Sequence, residues 1–542
     1  MKEAMSRDRV KGFLDVRGRD IINSEGQPVL LNGWALGNWL HSEGYMWLCD
    51  VPRFDRPRRM ESVIEELVGK NFVDKFWTRY RENYITESDI QMMAEMGCNS
   101  LRVPINARLL MREGPGIQFI DERFQLLDRL VDWCENCGVY VLIDLHAAPG
   151  GQTGSNIDDS VDDICRLFSD QNQFEKGLAL WEKLAERYAQ RWIVGGYGLL
   201  NRPIRPVRFE GDVPLEGYIP RLVAFYEQCI ARIREHDKRH ILVLEGPGWG
   251  ESMEIFDHSF DERMVIGFHR YGCVPDITSF RECIDVSEKL NVPLLLYTGE
   301  NRLEWYSAML PLAAELNIGF NIWTWKKMGG ENSPCLIQPP RDWNRITEYI
   351  LGGPHPGYDE AGRILNGFLQ NIQIDHCTII QQINANVHLI PGCVIAGPNF
   401  DELPGPGTSY SHGEHVYPAV DYRRDTGMYI FRRFPERKKR INYDGEWAQY
   451  VLRLGAGDFA CYTLNEITAH SGLEINCWCD ERPSVLEVYQ DDRLIERFEL
   501  SAMRYRQTLC GIRLDNTDRS VIKLRMAEGV ADVESLVTQA DD

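Results

Sequence analysis

Between residues 29 and 323 short apolar runs alternate with amphipathic stretches, and no other feature narrows the fold as far. The apolar runs cover 29–34, 100–104, 139–144, 198–201, 240–244, 265–269, 292–297 and 319–323. Stretches with apolar residues at helical spacing fall among them, at 87–96, 123–136, 176–191, 220–236 and 304–316. Strand and helix in strict alternation imply parallel pairing through right-handed crossovers, and eight is the number of strands that closes a βα barrel. The turn-rich run 13–29 reads as a small hairpin capping the bottom of that barrel. The expected fold class is α/β, a (β/α)8 TIM barrel over residues 1–352.

Gly352-Gly353-Pro354-His355-Pro356-Gly357 breaks the pattern as a domain boundary does. A connector over 353–383 leads to short alternating segments with Gly, Pro and Asp turns, which point to an all-β sandwich over 384–542. Trp478 alternates there like a core residue. Leu403-Pro404-Gly405-Pro406-Gly407 is a loop, and Arg437-Lys438-Lys439-Arg440 reads as a solvated turn.

With 542 residues, two domains are the natural expectation. A net charge of −21 and a pI of about 5.1 argue against nucleic acid or an anionic membrane as partner. The first eight residues lack the apolar core of a secretory signal. The fifteen cysteines show no metal-ligand spacing and sit mostly in apolar runs. They read as reduced thiols of a cytoplasmic protein.

Several strand ends carry motifs. Gly33-Trp34-Ala35-Leu36-Gly37-Asn38-Trp39-Leu40 with Glu43-Gly44-Tyr45-Met46 follows the first run, and Arg102 lies in the second. The third ends in Asp144-Leu145-His146-Ala147-Ala148-Pro149-Gly150-Gly151-Gln152 and the fourth in Asn201-Arg202-Pro203. His269-x-Tyr271 closes the sixth, and Trp323-Thr324-Trp325-Lys326 the eighth. In this order the motifs resemble family 5 glycoside hydrolases, retaining βα-barrel glycosidases. The resemblance implies an oligo- or polysaccharide ligand held by Arg102, His146, Asn201, His269, Tyr271 and Trp323. It implies no metal and no cofactor. Trp34, Trp39 and Trp47 fit either core or subsite.

Two positions depart from the family. Its fourth strand reads Asn-Glu-Pro, with the Glu as acid/base; here Arg202 stands there. Its seventh strand ends in the nucleophilic Glu, whereas Leu294-Leu295-Leu296-Tyr297-Thr298-Gly299-Glu300-Asn301 puts Tyr297 on that position, or Thr298 if Pro293 is the anchor. Glu300 is the nearest carboxylate and the fallback. The C-terminal part more loosely resembles carbohydrate-binding modules of families 6 and 35, through Ile390-Pro391-Gly392, Asn399-Phe400-Asp401 and 457–463. Gly397-Pro398 falls where those modules place a calcium-binding Glu, so the resemblance does not carry a structural calcium across.

Retaining hydrolysis needs two carboxyl groups about 5 Å apart. A guanidinium cannot exchange a proton near neutral pH, and an unperturbed phenol ionises near ~10. A pseudo-glycosidase that binds a β-linked glycan is the expected outcome. The alternative is an enzyme with a Tyr297 or Glu300 nucleophile acting on an anionic sugar, as sialidases use a tyrosine. Without a carboxylate at 297, Arg102 loses the family's partner, and Arg202 adds a second cation. Asp144, Glu245 or Glu300 would pair them, or else an anionic ligand would.

Overall fold

Eight parallel strands close into a barrel in this computed structural model, which describes residues 5–206, 216–330, 332–411, 420, 422–433 and 449–539. They are β1 (Asn32–Ala35), β2 (Ser100–Asn106), β3 (Tyr140–Ala147), β4 (Val194–Gly198), β5 (Ile241–Glu245), β6 (Met264–His269), β7 (Leu294–Gly299) and β8 (Gly319–Trp323). Neighbours in sequence pair in parallel, and β8 returns to β1. Every residue of these strands is buried. That is the pattern of a parallel sheet covered on both faces. β4 lies ahead of the expected run 198–201 and meets it only at Gly198, where the strand ends. Leu199 N still donates to Val243 O at 3.0 Å and Asn201 N to Leu145 O at 3.0 Å, which ties the following loop to β5 and β3.

Two helices between β1 and β2, Pro57–Val68 and Lys70–Tyr84, were not among the expected stretches. The first buries Met60, Val63, Ile64 and Leu67, the second Val73, Phe76, Trp77, Tyr80 and Tyr84. Trp47 lies in this apolar layer, with the Phe368 ring 4.4 Å and the Tyr80 ring 5.5 Å away. Trp34 and Trp39 are buried as well, so all three tryptophans left open between core and subsite are packing residues. The helix Glu87–Glu95 opens on Thr86, whose N–H donates to Asp89 Oδ2 at 2.9 Å, a capping box. The other oxygen of Asp89 meets Lys326 Nζ at 2.6 Å, a fully buried ion pair.

The chain divides into two compact units. The first comprises Met1–Arg270, Glu282–Gly299 and Asn317–Ile379; the second Tyr271–Arg281, Glu300–Leu316 and Ile380–Asp542. In the second, one antiparallel sheet runs β11 (Tyr429–Arg432), β12 (Tyr450–Gly455), β19 (Val530–Gln539), β14 (Gly472–Cys479), β17 (Met503–Arg513). β9 (Val394–Ala396) pairs with β19 as well. The other sheet runs β10 (Tyr410–Ser411), β13 (Phe459–Ile467), β18 (Thr517–Glu528), β15 (Ser484–Gln490), β16 (Arg493–Leu500). The helix Leu303–Glu315 belongs to this unit and packs on the helix Gln381–His388 and on β9.

Trp478 is a correction to the sequence reading. The two-residue period of β14 buries Cys477 and Cys479, and Trp478 on the opposite face is half-buried under the Arg433 guanidinium, 4.2 Å from its ring centroid. The run Arg437–Arg440 lies outside the described residues. None of the fifteen cysteines is in a disulfide, and most are buried. Among the described residues no helix is long and apolar enough to cross a membrane.

Candidate functional site

At the C-terminal ends of the barrel strands, where βα barrels carry their chemistry, a closed ring of hydrogen bonds joins four of the side chains singled out above. Arg102 on β2 sets its polarity, because a guanidinium has no lone pair to offer. Its Nη2 donates to Asp144 Oδ1 at 2.8 Å, Asn201 Oδ1 at 2.9 Å and Glu245 Oε1 at 3.1 Å. The Asn201 oxygen is thus an acceptor, and its Nδ2 faces His146 Nε2 at 3.2 Å as donor. His146 Nδ1 then carries the proton and donates to Asp144 Oδ2 at 3.0 Å, which closes the circuit. Gln152 braces the ring from below, donating Nε2 to the backbone oxygens of His146 at 2.9 Å and Asn201 at 2.8 Å.

Arg102 is therefore paired within the protein, by two of the three carboxylates offered for it in place of an anionic ligand. Asp144 and Glu245 hold it, so the guanidinium charge is satisfied within the protein. Burial pulls the Arg102 guanidinium down, but Asp144, Tyr297 and Glu245 outweigh it and the net direction is up.

A second relay runs through Arg202. Its backbone N–H donates to Glu245 Oε2 at 2.7 Å, and its Nε donates to His269 Nδ1 at 3.1 Å. His269 must be neutral to accept there, so its proton sits on Nε2 and goes to Glu245 Oε2 at 2.9 Å. Burial, with Arg202 and Arg102 nearby, holds the His269 imidazole well below its ordinary value. Burial pushes the Glu245 carboxyl up to about 8, with Asp144 adding to the rise and Arg102 opposing it. Arg202 occupies the left-handed region at φ 46°, which a side chain other than glycine enters at a cost. The loop is held there by Ile204, which donates to Gln152 O at 2.9 Å and accepts from Gly248 N at 2.8 Å.

On β7 it is the Tyr297 ring that lies against Arg102, with Cζ 3.8 Å from the ring centroid. Thr298 turns away and donates Oγ1 to Arg270 O at 2.7 Å. The guanidinium covers the face of the phenol ring, and burial pushes the phenol well above its ordinary value, the opposite of what a nucleophile needs. Trp323 stacks on His146 with ring centroids 5.0 Å apart and planes 7° apart, and donates Nε1 to Tyr45 Oη at 2.7 Å. Trp323 is 6% exposed, His146 4% and Asn201 0%, so these groups form a packed floor beneath the half-buried Arg202, Glu43 and Tyr45.

Asp144 and Glu245 face each other across a single nitrogen of Arg102, so two carboxylates do lie close together. They are 1% and 2% exposed with the guanidinium between them, and an anomeric carbon has no room there. Tyr271 and Glu300 belong to the second unit. Tyr271 is half-buried; Glu300 is 5% exposed, with φ 59°. Sequence reasoning placed the ring residues and named Glu245 only among several partners for Arg102. It did not single out His41, a fully buried residue whose ring centroid is 4.9 Å from that of His146. His41, Glu43 and His146 bring three metal-ligating atoms within 4.8 Å of one another.

Residues 66–291, from ahead of β2 to past β6, match the family model of cellulase (glycosyl hydrolase family 5). A beta-xylosidase of Phanerodontia chrysosporium is 30% identical over 234 residues, 43% of this chain and 46% of that protein. A glucan 1,3-beta-glucosidase of Candida oleophila is 30% identical over 264 residues, 45% and 57% of the two. The chain thus spans about half the length of the curated relatives it matches. Among solved structures, an endogalactoceramidase covers 97% of this chain and 100% of its own at 14% identity and a TM-score of 0.46. A beta-glucanase from Saccharophagus degradans in complex with cellotetraose covers 63% and 94% at 15% identity and a TM-score of 0.42.

Proposed function

We propose that this chain recognises a β-linked glycan at the top of its barrel and does not cleave it by the two-carboxylate retaining route. One observation carries the reading. The ends of β4 and β7 present Arg202 and a buried Tyr297, while the ring of Arg102, Asn201, His146 and Asp144 and the Trp323 platform remain assembled. Retaining chemistry needs a proton donor with a pKa near working pH and a second carboxylate about 5 Å away, and neither residue supplies one. The curated relatives named above are a beta-xylosidase and a glucan 1,3-beta-glucosidase, which makes β-xylosides and β-glucosides the first ligands to try.

Pairing of Arg102 with Asp144 and Glu245 removes one of the two cations on which an anionic sugar would have relied. A Tyr297 nucleophile would require a phenol shifted down, and burial shifts it up.

The test is calorimetry with xylo-, cello- and laminari-oligosaccharides, together with hydrolysis assays on the unmodified chain and on Arg202→Glu/Tyr297→Glu. Binding without turnover in the unmodified chain, and hydrolysis in the double variant, is the expected result. Turnover by the unmodified chain that survives Glu245→Gln and Glu300→Gln but not Tyr297→Phe would overturn it in favour of a tyrosine nucleophile. Absence of binding across the panel would overturn the glycan reading itself.

A further inference from the structure

His41 is an anomaly among the buried polar groups. Its side chain is fully buried, yet neither ring nitrogen has a hydrogen-bond partner. A buried imidazole normally satisfies at least one nitrogen, and leaving both unpaired is costly. The Ile157 backbone interacts with the ring, yet neither nitrogen reaches hydrogen-bond geometry. The ring instead tilts 51° to that of His146, and its ligating atom lies within 4.8 Å of those of His146 and Glu43.

We infer that His41, His146 and Glu43 form a divalent transition-metal site, Zn2+ being the cation whose preferences they fit best. Two imidazoles and one carboxylate are a donor set for zinc and its first-row neighbours; calcium and magnesium prefer oxygen alone.

Three further features fit a ligand role. His146 Nδ1 is tied to Asp144, the carboxylate–histidine arrangement that fixes a ligand's tautomer and leaves Nε2 as the lone-pair atom. The parallel Trp323 ring holds the imidazole plane. The loop that carries His41 is rigidly placed: Asn38 N donates to His41 O at 3.0 Å, Asn38 Nδ2 to Tyr84 Oη at 3.1 Å, and Trp47 Nε1 to Asn38 Oδ1 at 3.0 Å.

The donors must draw together, because tetrahedral bonds of 2.0–2.1 Å place ligand atoms roughly 3.4 Å apart. Glu43 is the half-buried member of the three and carries a long, rotatable side chain. The Asn201 amide at 3.2 Å from His146 Nε2 is the competitor that metal displaces. This inference does not depend on the glycan reading, since its probe is the metal alone.

The experiment titrates the full chain, stripped with chelator, with Zn2+ by calorimetry and with Co2+ by visible absorption, and follows Tm in both. One equivalent should bind, raise Tm reversibly to EDTA, and give a Co2+ spectrum of low coordination number. Glu43→Gln, at a half-exposed position where folding is safe, and His41→Ala should each weaken binding by more than the roughly tenfold that loss of an outer partner costs. Should His41→Ala not fold, Glu43→Gln decides alone. No saturable binding, or binding that both variants leave unchanged, would overturn the inference and assign any bound metal to surface histidines.

Discussion

Replacing Arg102 with methionine tests the electrostatics of the barrel floor most directly. Methionine keeps the long, unbranched shape, so the cavity cost is small. What is lost is the cation that holds Asp144 Oδ1 at 2.8 Å and Glu245 Oε1 at 3.1 Å, both carboxylates being almost fully buried. Breaking a buried pair by removing one partner costs about 3–5 kcal/mol, and the lost contact with the Tyr297 ring falls within that figure. The loss carries a pH signature. Without the guanidinium the Glu245 carboxyl, already pushed up by burial to about 8, rises further in the folded state, the folded protein holds a proton there that the unfolded one does not, and stability is recovered on acidification. The gap to the unmodified protein should narrow from about pH 9 to pH 7, where the variant's Glu245 is protonated ahead of the unmodified one, by at most about 1.4 kcal/mol per pH unit. Arg102→Lys supplies an internal control. All three acceptors converge on one guanidinium nitrogen with two hydrogens, and an ammonium offers three. It should cost less than half as much as Met. Guanidinium titrations followed by tryptophan fluorescence read all three proteins. A Met variant destabilised by less than about 1 kcal/mol, or a gap that stays constant between about pH 9 and 7, would refute the reasoning.

Acidification of the unmodified protein should act with the opposite sign. His146 titrates at about 4 when folded, and His41 and His269 well below their ordinary value. The unfolded chain therefore binds extra protons below about 6.5, and Tm should fall from there downward. His388, at about 4, adds to the fall, while Glu245, Glu315 and Asp401, raised to about 8, 7 and 6, oppose it and make it shallow. A Tm that is flat between pH 6.5 and 5 would contradict the assignment of neutral buried imidazoles. Gly250→Ala puts a Cβ 2.6 Å from His269 Cδ2 and 2.8 Å from Glu245 Oε2 at φ +76°, whereas Gly97→Ala, at φ +88°, meets open space. Both carry backbone strain of about 1–3 kcal/mol, so denaturation midpoints should show the larger loss at 250; equal losses would remove the close approach as a constraint. Tyr226→Phe deletes the hydroxyl that donates to Glu245 O at 2.7 Å and should cost about 1–2 kcal/mol in the same assay. No measurable cost would mean that water replaces it.

The barrel was legible because its signal is local. A fully buried parallel strand reads as an apolar run, and the alternation with amphipathic stretches needs no knowledge of contacts. The helices Pro57–Val68 and Lys70–Tyr84 escaped because they lie in a long β1–β2 connection in which Arg, Lys and Glu are interleaved with the buried aromatics. Trp478 was misread for a similar reason: alternation says that a strand has two faces, and the smaller cysteines took the inner one. At the site, motifs placed Arg102, His146, Asn201 and His269, but the pairing of Arg102 with Asp144 and Glu245 spans 42 and 143 residues, and spacing cannot encode it. His41 carries no motif at all. What distinguishes it is the absence of a partner for a buried ring, a property that exists only once the chain is folded.

The segments Tyr271–Arg281 and Glu300–Leu316 group with the sheet-bearing unit although barrel strands precede and follow each of them. Heredity of this architecture is thereby constrained: neither unit is a contiguous cassette that recombination could lift out with two cuts. Severing the chain at the Gly352-Gly353 run would strip the helix Leu303–Glu315 of the helix Gln381–His388 and the strand β9 on which it rests. A gene fragment ending there would encode a barrel with one of its own crossover helices orphaned, so the two halves of this protein are bound to evolve together.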